Sequence, residues 1–192
     1  MPFELKLPLD HPTMVEQLTV GTRVAITGTL ITAGPEAHKQ LAAGARLPDE
    51  TPEGTLLLHC RPVLKRRGSK WDAVSIEPEI SATHENSVAG WLSHRQVRGF
   101  IGYGGFGDDA FQHFRRFTGC YLQTYAGTGP ALAEHVLNAR ELPFGEGLKG
   151  QDAVWMLDVE GFPAIVTMGL EGGNFPKMIQ NGTAQRLKTL PI

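Results

Sequence analysis

Val24-Ala25-Ile26-Thr27-Gly28-Thr29-Leu30-Ile31-Thr32-Ala33-Gly34-Pro35-Glu36-Ala37-His38-Lys39-Gln40-Leu41 is the stretch on which the fold turns. β-Branched Val24, Ile26, Thr27, Thr29, Ile31 and Thr32 suit a pleated, half-buried strand, interrupted only by Gly28. Gly34 frees the backbone to turn. Pro35 fits the first helical position, where its missing N–H costs nothing, and Glu36 is favoured at the positive end of the helix dipole. The reading is strand, tight turn and helix, with His38 carried on the opening of the helix. Free backbone N–H groups at such a helix start suit a carboxylate or phosphate, which makes the junction a candidate wall for an anionic substrate.

Upstream, residues 3 to 8 alternate as an edge strand, and Met14 to Leu18 forms a short connector after a turn at His11-Pro12. Downstream, the Pro- and Gly-rich segment 43–54 reads as a loop, and Thr55 to Cys60 as an apolar central strand. Trp71 to Ile76 is expected beside that strand, with Lys65-Arg66-Arg67-Gly68-Ser69-Lys70 as a solvated tip between them. Three more helices follow from apolar spacing: one capped by Asn86 or Ser87, one capped by Asp108 or Asp109 with Phe111, Phe114 and Phe117 inward, and one from Pro130 through Asn138. Gly99 to Gly102 and Gly119 to Thr124 are strands. Ala153–Val159 and Ala164–Met168 flank Glu160-Gly161-Phe162-Pro163 in a hairpin pattern. Alternating strands and helices predict one α/β domain of mixed sheet over residues 1–192, with a polar tail from 172 to 192 loosely held.

The 192 residues carry a net charge of −2, so no global basic field points to nucleic acid or to an anionic membrane. No run has the length of a membrane span and the N-terminus lacks a leader pattern, so a soluble, cytoplasmic protein is expected. Cys60 and Cys120, the two cysteines, both sit in apolar runs and are too few to hold an iron–sulfur cluster or structural zinc. The glycine-rich turns at 102–107 and 127–129 match no phosphate-binding fingerprint. Glu77, Glu79, His84 and Glu85 crowd one stretch that Pro78 keeps from being helical. An extended, alternating backbone there would set the three carboxylates on one face and His84 on the other, which argues against a metal site.

Taken in order and spacing, several motifs make the chain resemble the β-subunit, or C-terminal domain, of class I iron–sulfur hydro-lyases, fumarate hydratase and L-tartrate dehydratase. They are Ile26-Thr27-Gly28-Thr29, Thr32-Ala33 with Ala37-His38, His59-Cys60 with Pro62, Phe100-Ile101-Gly102 with Gly104-Gly105, Gly119 with Tyr121, and the run from Ala153 to Val166. The resemblance implies a swivelling β/β/α domain that closes over a four-iron four-sulfur cluster held by a separate α-subunit, with none of the cluster ligated by this chain. It implies a small hydroxy-acid substrate and an assembly that is a homodimer or a heterotetramer.

Three motifs depart from the family's pattern. Gly34 and Pro35 stand where Arg and Asp are usual, Glu79 and Thr83 where a threonine and an arginine are usual, and Tyr103 where a lysine is usual. Each lost charge-assisted contact is worth about 1.5–3 kcal/mol, so a pocket built this way forfeits much of its affinity for a dianion. The expected hydro-lyase subunit thus has an altered substrate. Its acid/base and hydrogen-bonding groups are Glu79, His84 and Tyr103, and its substrate-binding groups are Thr29, Thr32, His38, Ser81 and Thr83. The alternative is a catalytically inactive binding or regulatory paralogue of that subunit.

Overall fold

The structure, a computed structural model, describes residues 1–170 and 173–188. β1 (Phe3–Lys6), α1 (Pro12–Glu16), β2 (Arg23–Ala33), α2 (Pro35–Ala42) and β3 (Thr55–His59) follow the order read from the sequence. A hairpin of β4 (Val63–Arg67) and β5 (Lys70–Ser75) comes next. A 3₁₀ turn over Ser81–Ser87 leads into α3 (Val88–Ser93), β6 (Val97–Gly102), α4 (Asp108–Phe117) and β7 (Cys120–Gln123). α5 (Gly129–Ala133), β8 (Val136–Leu142), β9 (Val154–Met168) and α6 (Phe175–Lys188) complete the chain.

The strands form one mixed sheet in the order β1-β2-β3-β6-β7-β9-β8-β5-β4. β2 pairs in parallel with β1 and then with β3, and antiparallel with β9 on its other edge. That last pairing closes β2, β3, β6, β7 and β9 into a ring. Strand alternation then divides the core in two. Leu30, Leu56, Leu58, Ile101, Leu122 and Leu157 pack in one cluster. Their sequence neighbours Ile31, Leu57, Phe100, Tyr121 and Met156 pack with Ala37, Leu41, Val88, Trp91 and Phe114 of α2, α3 and α4 in the other. The α/β class and mixed sheet therefore stand.

Several local expectations do not. The runs on either side of Glu160-Gly161-Phe162-Pro163 are one strand, β9, because β2 pairs with it from Arg23 opposite Ile165 to Ile31 opposite Met156. Gly161 takes a positive φ of 63° and the register shifts between Ile26 and Gly28, so a bulge replaces the turn. The helix read from Pro130 to Asn138 stops at Ala133, and Val136 onward is β8, paired with β9 and leaving Leu137 exposed. Trp71 to Ser75 lies against β4 and β8, far along the sheet from β3. From the polar tail, Phe175–Lys188 forms α6, while Gly172 and residues 189–192 lie outside the described residues.

Candidate active site

β3 places Leu57 and His59 on the face covered by the helices, two residues apart, so His59 ends up fully buried against Phe100 and Phe106. α2 carries His38 and the 3₁₀ turn carries His84. The three rings meet: His38 and His84 are parallel with centroids 4.0 Å apart, and His59 lies 5.2 Å from His38 and 5.1 Å from His84. Pro78 does exclude a helix at its own position, but the chain coils over Ser81–Ser87 immediately afterwards. Coiling sends the three carboxylates of this stretch in three directions. Glu77 accepts from the N–H groups of Gly127 and Gly129, Glu85 from that of Ala110, and Glu79 faces His84. The alternation argument that set His84 opposite Glu79 thus fails, since Glu79 Oε2 and His84 Nε2 are 3.4 Å apart.

The donors around the rings decide their protonation. Tyr121 donates its hydroxyl to Ser81 Oγ at 3.0 Å and accepts from Gly105 N–H at 3.2 Å, which leaves the Ser81 hydroxyl to donate to His59 Nδ1 at 2.8 Å. Trp91 Nε1–H donates to His38 Nδ1 at 2.9 Å, and Ser87 Oγ lies 2.6 Å from the same nitrogen. Both rings therefore accept at Nδ1 and carry their proton on Nε2, a buried atom with no partner among the described residues.

Burial drives the electrostatics. It pushes His38 down to about 3, helped by repulsion from His84 and opposed by Glu79 and the Ala33 carbonyl. Burial, then repulsion from His38 and His84, holds His59 well below the imidazole range. Glu79 would be raised by its burial, but hydrogen bonds from His84 and from Arg61, whose Nε is 2.7 Å from Oε1, hold it below the usual carboxylate value. Burial raises Tyr121 to about 12, so it stays a hydroxyl that can donate.

Gly102 is what lets this network close. A Cβ there would sit 2.1 Å from Ser81 Oγ and 3.3 Å from His59 Nδ1. Beside the stacked rings opens a cleft of about 600 Å³, with His38, His84, Thr83 and Ser87 on its wall and Pro35 and Leu41 among its apolar lining. The arrangement offers neutral imidazole N–H donors, one ionised carboxylate in contact with a third imidazole, and an apolar cleft, the parts of a site that binds a small polar molecule and moves a proton.

Of the residues singled out from sequence, His38, Glu79, Ser81, Thr83 and His84 come together. Thr29 and Thr32 do not join them: Thr29 donates to Asp158 at 2.9 Å, and buried Thr32 accepts from the Trp155 N–H at 3.1 Å. Tyr103 is 44% exposed and lines a separate depression with Gln123 and Tyr125, although its N–H donates to the Glu79 carbonyl at 3.0 Å. His59, Arg61, Ser87, Trp91 and Tyr121 were not singled out. His59 and Tyr121 carried a signal as members of the family motifs, and His59 also as a polar residue closing an apolar strand on its helix-facing side.

Cys60 and Cys120 do not fit a cluster. Both are buried and burial raises both thiols, Cys120 to about 12, whereas a ligand must be a thiolate. Among the described residues no group of three or more His, Cys, Asp or Glu is placed to hold a metal ion, and no helix is long and apolar enough to cross a membrane.

Residues 4–179 match the family model described as Fumarase C-terminus. The L(+)-tartrate dehydratase subunit beta of Escherichia coli K12 is 26% identical over 161 residues, covering 83% of this chain and 80% of its own. A Methanocaldococcus jannaschii chain that provisionally bears the same name is 28% identical over 181 residues, 92% of each chain. A Geobacillus stearothermophilus chain provisionally named fumarate hydratase class I is 28% identical over 190 residues, which are 95% of this chain and 35% of that one.

Proposed function

Because the chain belongs to the fumarase C-terminus family, we propose that it is the β-subunit of an iron–sulfur-dependent hydro-lyase acting on a small hydroxy acid. The observation that carries this reading is the contact of Glu79 with His84, which stacks on His38 at the wall of one cleft. The cluster is assigned to a separate α-subunit, because the two buried thiols here do not fit one. In this assembly the chain acts as a swivelling domain that closes over its partner, and the partner itself is favoured by its relatives' subunit names.

Dehydration removes a proton from the carbon next to the one that loses hydroxide. Glu79, ionised at neutral pH, takes that proton, and His84 at 3.4 Å receives it or returns it in the hydration direction. His38, neutral at the same pH, lines the cleft and orients His84, on which it stacks. Ser81 holds His59 and acts through it. Tyr103, whose backbone N–H holds the Glu79 carbonyl, offers its hydroxyl from the separate depression beside Gln123 and Tyr125, and Thr83 lines the cleft. Thr29 and Thr32 keep to the sheet. With Gly34, Thr83 and Tyr103 in place of three cations, the substrate is recognised differently from that of the tartrate and fumarate enzymes.

Anaerobic co-expression with a cysteine-bearing α-subunit tests this reading. A brown complex that dehydrates a hydroxy acid, with kcat lowered about 10²- to 10⁴-fold by Glu79→Gln, is expected. A stable complex that binds hydroxy acids without turning any over would make the chain the inactive, regulatory paralogue. No complex at all would overturn the subunit assignment.

A further inference from the structure

Resting on the hydro-lyase reading, we propose that Arg61 is the carboxylate-binding residue of the site, a cation delivered from the end of β3 across the bare turn at Gly34. Gly34 has an ordinary extended backbone with φ of −94°, so conformation does not demand glycine there. Space does. A Cβ on Gly34 would lie 2.5 Å from Arg61 Cγ and 3.0 Å from Cδ, so the stem of Arg61 fills the volume that any side chain at this turn would need. The turn that lacks its own cation is the turn over which Arg61 passes.

The stem's course fixes where the guanidinium arrives. Its Nε donates to Glu79 Oε1 at 2.7 Å, and the other oxygen of Glu79 faces His84, which stacks on His38. Among the described residues no hydrogen-bond partner takes the two terminal nitrogens, and the side chain is 49% exposed. A guanidinium held by Nε alone still presents a flat pair of N–H donors, the geometry that grips both oxygens of a carboxylate. Lys39, the cation on the cleft wall, is instead drawn off to Glu36 at 2.5 Å. Arg61 thus places a carboxylate ligand beside the Glu79–His84 pair, and the ligand class is a hydroxy carboxylate whose acid group sits on this arginine.

Titration of the full chain with L-lactate, the smallest 2-hydroxy carboxylate, tests the assignment, followed through the Arg61 Nε–H and histidine ring signals in NMR spectra. Lactamide serves as the neutral control. A saturable lactate response is expected, at least about tenfold weaker for lactamide and for Arg61→Gln, with Glu79→Gln binding lactate as well as the parent or better because the guanidinium gains a free edge. The exposed position of Arg61 leaves the fold of Arg61→Gln intact, which its amide spectrum checks. Unchanged lactate affinity in Arg61→Gln, equal response to lactamide, a loss in Glu79→Gln matching that in Arg61→Gln, or no saturable response in the parent chain would each overturn the proposal. Lactate binding through Arg61 in a chain whose α-subunit complex dehydrates nothing would leave Arg61 in place and remove the hydro-lyase reading. Turnover with KM unmoved by Arg61→Gln would do the reverse.

Discussion

His38 and His84 stack face to face, their ring centroids 4.0 Å apart and their planes within 5° of parallel. Two imidazolium ions cannot occupy this geometry without strong repulsion, which disfavours a positive charge on His38. His38 is the ring kept neutral, because Trp91 donates to its Nδ1 and burial penalises its charge.

Acid should therefore destabilise the fold well above the carboxylate range. In the unfolded chain His38 binds a proton near its ordinary value of 6.5, while in the folded chain it does so only near 3. Between those values unfolding takes up a proton, so stability falls as pH drops, by about 1.4 kcal/mol per pH unit for each such ring. Buried His59 adds to the loss in the same direction. Urea unfolding at pH 6, 5.5 and 5 should give this slope, and His38→Gln should lower it by one ring's share. An unaltered slope in His38→Gln would refute the assignment.

Tyr121→Phe removes a buried hydroxyl that accepts from Gly105 N–H and donates to Ser81. Stability should fall by about 1–3 kcal/mol, and the His59 ring signals should shift in an NMR spectrum because Ser81 loses the donor that sets its direction. A loss below a few tenths of a kcal/mol would show the chain of hydroxyls to be energetically idle.

Gly102→Ala places a methyl group 2.1 Å from Ser81 Oγ in a buried site. Overpacking of this kind costs about 1–3 kcal/mol, and the displaced Ser81 should release His59 Nδ1. Thermal unfolding together with a crystal structure of the variant would reveal whether Ser81 moves.

Glu85→Ala should cost about 0.5–2 kcal/mol, although Glu85 lies far in sequence from the helix it serves. Its Oε1 accepts from the N–H of Ala110 in the first turn of α4, where Gly107 at the cap has no side chain to do so. Chemical denaturation reads the loss, which the neutral Glu85→Gln should largely avoid.

Legibility in the sequence followed the range of the interaction. Gly34 and Pro35 announced the end of β2 and the start of α2, and Thr55 to Cys60 announced a buried strand, β3, because these signals lie in backbone chemistry and in unbroken apolar runs. Gly161 and Pro163 carried equally strong turn signals and were overruled by β2, whose antiparallel pairing runs straight past them. Helical spacing after Pro130 was overruled in the same way by pairing with β9.

By itself the sequence determined an α/β domain with a mixed sheet, its central strands, the turn beneath Arg61 and its family motifs, all of which rest on local propensity or on residue order. Tertiary structure alone decided the site. His38, His59 and His84 come from a helix, a strand end and a 3₁₀ turn, and their meeting depends on ring closure by β9 and on the bare Cα of Gly102. No local pattern encodes which side chains converge across a sheet, because convergence is set by pairing register and packing between residues distant in the chain.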